Sequence, residues 1–303
     1  MKKEKIILVL TGGGVKCSFQ IGFLIELLKH DKFEIELIYG CSFGALLAPL
    51  VANKRLDILV CFFDIIKSID QVAINWPWYY FPRLFKGIHN IFFNKGYYQD
   101  LKVTDILWNL LSEEEKINAS QKCRIPAWNL INKKQDWFGG NSNIIDFYNG
   151  IKASIALWLF VKPYKYKDII YTDGGSCFLH PVEPLIKDKV KHKKILFIDS
   201  CTRELKPLEQ DPPDALSLMY HLHDININTI GKMQLTKLKE IYNKRVIIVK
   251  PDIDLLKNTL DFDKNRIFSN IELGKKKYIE MFKINKKTEI EYTNKYIRCL
   301  LKL

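Results

Sequence analysis

Residues 36–50 read ELIYGCSFGALLAPL, and the change of pattern inside this stretch decides the fold. Glu36 to Tyr39 has strand character, Gly40-Cys41-Ser42-Phe43-Gly44 is a sharp turn of small residues, and an apolar run through about Leu50 reads as a helix. A G-x-S-x-G sequence between strand and helix has the context of a nucleophile elbow. Its small residues allow a strained turn that lifts the Ser42 hydroxyl into solvent, and the helix N-terminus behind it supplies positive potential. The plain reading of the same five residues is a tight turn whose serine caps a helix.

The same order precedes it. Ile6 to Leu10 is a compact run of strand formers that ends on Thr11 and Gly12-Gly13-Gly14. Residues 18–30, SFQIGFLIELLKH, place Ile21, Leu24, Ile25 and Leu28 on one helical face, with Ser18 as the candidate cap. Two parallel strands with crossover helices make the first half of the core an α/β layer. Further strands are expected at Arg124 to Leu130, Asp168 to Tyr171, Lys194 to Ile198 and Arg245 to Val249, with helical or mixed structure over Ser217 to Ile241.

Glycines after the first strand free backbone N–H groups to converge on an oxyanion, where they gain most as charge moves onto oxygen. Phosphate binding is the rival reading of Gly12 to Lys16. However, the spacing of G-x-x-x-x-G-K-[ST] is absent, and a G-x-G-x-x-G starting at Gly12 would need glycine where Cys17 stands. Asp173-Gly174-Gly175 follows the strand-like DIIYT and puts a carboxylate at a strand end, where it could take the Ser42 proton and return it to a leaving alcohol. The plain reading of an Asp-Gly pair is a turn.

These three motifs, in this order, resemble the patatin-like phospholipase family. GGGVK at Gly12 to Lys16 resembles its glycine-rich oxyanion motif, GCSFG its nucleophile motif and DGG at Asp173 its aspartate motif. The resemblance extends to ASIALWLF before the aspartate strand and SCFLHPV after it, covering residues 5 to about 200. It implies a three-layer α/β/α hydrolase with a central, mostly parallel sheet, acting on lipid acyl esters by a Ser-Asp dyad. On that basis Ser42 is the nucleophile, Asp173 its partner and Gly12, Gly13 and Gly14 the oxyanion hole, supported by Lys16, Gly40, Gly44, Gly174 and Gly175. Three positions depart from the family pattern: Cys17 for a glycine after the basic residue, Trp158 for a proline and His180 for an asparagine. The first bears on activity if it narrows the oxyanion turn.

The same stretches of sequence admit other chemistries. Ser42, Asp173 and His221 occur in the chain order of an ordinary hydrolase triad, but those folds place several strands before the elbow and only two precede Ser42. His180 reads as a loop histidine near the cleft. His221-Leu222-His223-Asp224 suggests metal, yet lacks a further ligand set, so neither metal nor cofactor is expected. Cys41 should point away from Ser42 by strand alternation, and Cys177 is near the motif without a catalytic part.

The whole chain fits this picture. With 303 residues and 48% hydrophobic side chains it can bury a sizeable core, which excludes a disordered or fibrous chain. We expect a single domain over 1–303, with 75–98, NWPWYYFPRLFKGIHNIFFNKGYY, as an aromatic cap insertion and 200–303 as a less diagnostic part completing the domain. The net charge of +13 favours anionic partners. Lysine supplies 40 of the 47 basic residues and no nucleic-acid motif is recognisable, so an anionic membrane surface is favoured over nucleic acid. The apolar start meets Lys16 and glycines too soon for a signal-peptide core, and the longest apolar run, Ile155 to Val161, falls short of the roughly twenty residues a membrane span needs. Seven cysteines without C-x-x-C suit a reducing cytosol. The expected activity is phospholipase-like cleavage of carboxylic esters in the cytoplasm, with peripheral membrane contact. Acyl transfer through the same acyl-enzyme and a catalytically silent basic membrane- or polyanion-binding protein are the alternatives.

Overall fold

The computed structural model describes residues 3–65, 102–140, 143–158, 160–188, 193–202, 215–256, 259 and 261–283. The expected cap at 75–98 and the end of the basic C-terminal segment lie outside the described residues. In chain order the elements begin β1 (Glu4–Leu10), α1 (Ser18–His30), β2 (Phe33–Gly40), α2 (Phe43–Ala52), α3 (Leu56–Ile65), α4 (Val103–Asn109) and α5 (Glu113–Lys122). They continue β3 (Cys123–Asn129), β4 (Lys134–Phe138), α6 (Ile144–Ser154), β5 (Tyr164–Tyr166), β6 (Ile169–Asp173) and α7 (Glu183–Asp188). The last are β7 (Lys194–Ile198), α8 (Ala215–Tyr242), β8 (Val246–Val249) and α9 (Lys264–Phe282).

The strands form one sheet in the order β5-β6-β3-β2-β1-β7-β8, with β4 paired to β3 beside that path. Pairings among β3, β2, β1, β7 and β8 are parallel, and those of β4, β5 and β6 are antiparallel. The sheet is therefore mixed and largely parallel. Alternation along β1 shows why it lies between two layers: Ile6, Leu8 and Leu10 pack in one apolar cluster, Ile7 and Val9 in another. The first cluster takes side chains from α1, α2, α3, α6 and α9, and the second from α7 and α8, so helices cover both faces.

Two features differ from the sequence reading. Ser18 is the first residue of α1 and not its cap: Cys17 holds the N-cap position, and the Ser18 hydroxyl accepts a hydrogen bond from Asn270 Nδ2 at 2.8 Å. The hairpin partner β4 and the short β5 were not anticipated, because Lys134–Phe138 and Tyr164–Tyr166 are too polar or too short for a periodic signal.

Register explains the position of the site. β1, β2 and β7 are aligned so that Leu10 lies level with Gly40 and with Ile198. The turns at Thr11, Cys41 and Asp199 therefore leave the sheet along one carboxyl edge, where α/β sheets bind ligands. β3 starts high, with Cys123 level with Ile38, and runs past that edge. β6 pairs antiparallel to this overhang and ends with Asp173 opposite Ala127. β3 runs on beyond its last pair with β2, Tyr39 with Arg124, and β6, paired to that extension, ends with Asp173 in the cleft that Ser42 also lines.

Candidate active site

Ser42 occupies a backbone conformation that side-chain-bearing residues rarely adopt, φ 53° and ψ −125°, at the N-cap of α2. The turn is held by Cys41 N–H donating to Leu10 O at 3.1 Å, Gly44 N–H to Cys41 O at 2.8 Å and Ser42 N–H to Ser154 Oγ at 3.1 Å. Backbone must pass close on both sides of the elbow, and this requires its two glycines. A Cβ at Gly40 would stand 2.5 Å from Gly44 O, and one at Gly44 would stand 2.5 Å from Leu10 O.

Asp173 is 2% exposed at the end of β6. Its backbone N–H donates to Ala156 O at 2.9 Å, and Oδ1 accepts from Gly175 N–H at 2.7 Å. Burial pushes the carboxyl up to about 6, opposed by its interactions with the Ser42 hydroxyl and with the Gly175 N–H. The hydroxyl is thus near enough to favour the carboxylate, yet Oδ2 has no partner of proper hydrogen-bond geometry among the described residues.

The glycine loop borders the same cleft. Gly12, Gly13 and Gly14 line it with Ser42, Asp173 and Gly175, and a Cβ on Gly12 would stand 2.8 Å from Ser42 Cβ. Gly13 and Gly14 have φ of 149° and 54°. Val15 N–H donates to Thr259 O at 2.9 Å and Lys16 N–H to Gly13 O at 3.2 Å, so these two donors are committed. Much of the remaining lining is apolar, from Leu157, Trp158, Phe160, Leu179 and Ile227, interrupted by Ser176, His223 and Asp224.

Several sequence candidates sit elsewhere. Lys16 is half-buried in the turn after the glycines and does not line the cleft; its carbonyl accepts from Asn270 Nδ2. Cys17 is buried under the glycine loop, with Sγ 3.6 Å from both Thr11 O and Gln20 Nε2 and 3.7 Å from where a Cβ on Gly13 would stand, and it does not line the cleft. Cys41 is likewise buried, beside the Gly175 turn. Gly174 passes against Pro126 O below Asp173. His180 is buried against Phe197, with ring centroids 4.9 Å apart, and His221 does not line the cleft.

The imidazole that does reach the cleft is His223, which in sequence stands out only as part of the incomplete metal pattern His221-Leu222-His223-Asp224. Trp158 Nε1 donates to His223 Nε2 at 3.3 Å, and burial pushes the imidazole below its ordinary value. Among the described residues no histidine bonds to Asp173, and no three His, Cys, Asp or Glu side chains converge as a metal site would need. Ser154, inside ASIALWLF, is a second residue whose part at the site has no local signal in the sequence. Its hydroxyl holds the Ser42 N–H and its carbonyl accepts from Gly174 N–H at 3.3 Å, so one residue ties elbow and aspartate turn together.

Fold and site together define an α/β protein with a serine at a strand-to-helix elbow and a carboxyl, in place of an imidazole, beside it. A family model described as patatin-like phospholipase matches residues 8–186, and the chain belongs to that family. The family is, in general, one of lipid hydrolases that act through a Ser-Asp dyad. The crystal structure of VipD from Legionella pneumophila is similar over 92% of this chain, at 13% identity and a TM-score of 0.49. The chain spans 66% of that protein's length. No helix among the described residues is long and apolar enough to cross a membrane.

Proposed function

We propose that this protein cleaves the carboxylic esters of phospholipids, with Ser42 as nucleophile, Asp173 as its proton acceptor and donor, and the Gly12–Gly14 loop as oxyanion hole. The observation that carries the reading is the buried Asp173 carboxyl, with an unpartnered Oδ2, beside a serine held in a strained elbow. Ser42 Oγ bonds to the ester carbonyl carbon, its proton passes to Asp173, and the carbonyl electron pair moves onto oxygen facing the loop. The C–O bond to the alcohol then breaks, and the alcohol leaves with the proton from Asp173. Water repeats the sequence on the acyl-enzyme, releasing fatty acid and restoring the serine.

A carboxylic acid of pKa about 6 suits both halves, because at neutral pH it is mainly a base and its protonated form readily gives the proton back. The apolar lining from Leu157, Trp158, Phe160, Leu179 and Ile227 supports an acyl chain as the bound group. The net charge of +13 supports peripheral contact with anionic lipid.

Wild type and Ser42→Ala, both checked for folding, are incubated with mixed phospholipid vesicles while every acyl species is followed by mass spectrometry. Fatty acid from wild type alone is the expected result. An acylated acceptor in its place would redirect the assignment to acyl transfer, and turnover by folded Ser42→Ala would remove Ser42 as nucleophile.

A further inference from the structure

Two buried polar residues at the end of β7, Asp199 and Ser200, take no part in the chemistry above; each is 2% exposed. They form the floor under the glycine loop. Ser200 Oγ donates to Gly12 O at 2.5 Å, and Ser200 N–H donates to Asp199 Oδ1 at 2.8 Å and to Thr11 Oγ1 at 3.2 Å. Thr11 Oγ1 donates to the same Asp199 oxygen at 3.0 Å, and Gln20 Nε2 donates to Thr11 O at 2.9 Å. The loop therefore rests on a connected network from β7 and α1.

The consequence follows from peptide geometry. A trans peptide is planar, with its C=O and N–H on opposite sides. Ser200 draws the Gly12 oxygen down into the floor, so the N–H of the same unit, that of Gly13, points the other way, toward the cleft that Gly12, Gly13 and Ser42 line. Glycines on both sides make this peptide easy to turn over. Turned over, it would present an oxygen, and not an N–H, to the charge that develops on the ester carbonyl, changing attraction into repulsion. Something must hold the orientation, and Ser200 is placed to do so. Gly13 fits tightly over it: a Cβ there would lie 2.2 Å from Ser200 Oγ.

We propose that Ser200 is the positioning residue of the oxyanion hole, its hydroxyl fixing the Gly12–Gly13 peptide so that the Gly13 N–H faces the reacting carbonyl. Asp199 and Thr11 orient Ser200 from beneath. The inference rests on the serine hydrolase reading above.

The test measures kcat and KM on a fatty-acyl ester, the rate at which an alkyl fluorophosphonate labels Ser42, and thermal stability, for wild type, Ser42→Ala, Ser200→Ala and Ser200→Cys. The phosphoryl oxygen of the probe must occupy the same hole as the ester oxygen. Ser200→Cys keeps a side-chain donor, weaker and larger than the hydroxyl, and so gives a second variant that reports if Ser200→Ala does not fold. Loss of the orienting bond should lower kcat by about 10- to 100-fold, with KM within about twofold and labelling slowed in parallel. Ser200→Cys should fall between wild type and Ser200→Ala. Folded variants that lose only thermal stability, or that raise KM with kcat and labelling intact, overturn the inference and leave the hydrolase reading standing. A wild-type protein that neither hydrolyses the ester in a Ser42-dependent way nor labels at Ser42 overturns both.

Discussion

In the proposed mechanism Asp173 sets the pH behaviour of the site. With its carboxyl pushed up to about 6, kcat/KM on an uncharged ester should fall tenfold per pH unit below about pH 6, and a limb near pH 4 instead would show an unperturbed carboxyl. The same shift acts on stability. A folded-state pKa above the unfolded 3.8 means that the native protein holds the proton more tightly, a stabilisation fully present below about pH 4 and lost as pH rises through about 6. Above that window the ionised group costs the fold on the order of 3 kcal/mol relative to acid. Asp173→Asn should therefore abolish hydrolysis while raising the melting temperature at pH 8, and the difference from wild type should shrink toward zero at pH 4. Cys41→Ala, in contrast, should keep hydrolysis, since its sulfur is buried beside the Gly175 turn and does not line the cleft; loss of turnover in the folded variant would return the cysteine to consideration.

At the scale of elements, the two strand-turn-helix units were legible in sequence because their signals are local. The apolar runs have the right period, and glycines stand where backbone meets backbone. α9 was not legible in that way, although it closes the layer over α1. The two helices cross in direct backbone contact: a Cβ on Gly274 would lie 2.1 Å from Phe19 O, and one on Gly22 would lie 1.9 Å from Ile271 O. Gly274→Ala cannot be absorbed by a side-chain rotation, since the obstacle is main chain. It should destabilise the fold by about 1–3 kcal/mol in denaturant titration, despite the gain in helix propensity. An unchanged midpoint would show that α9 can shift away from α1.

Across the whole molecule, the charge of +13 predicts binding to anionic vesicles that weakens as salt is raised, measurable by co-sedimentation with the Ser42→Ala variant so that no lipid is consumed. Equal binding to zwitterionic vesicles, or salt-independent binding, would assign the contact to apolar surface. The sequence by itself determined the α/β class, the elbow at Ser42, the glycine loop and the candidate aspartate, because each is written in a short stretch whose residue types have a local geometric cause. Only the tertiary structure decided how they meet. β6 runs antiparallel to the overhang of β3 and so ends with Asp173 in the cleft that Ser42 lines, and strand direction leaves no trace in residue order. Ser154 and Ser200 hold the reacting segments by hydrogen bonds across 112 and 188 residues of chain, and His223 enters the cleft from α8 through Trp158. A serine that supports a distant backbone atom looks in sequence like any other serine, since its partner is set by register and packing and not by its neighbours.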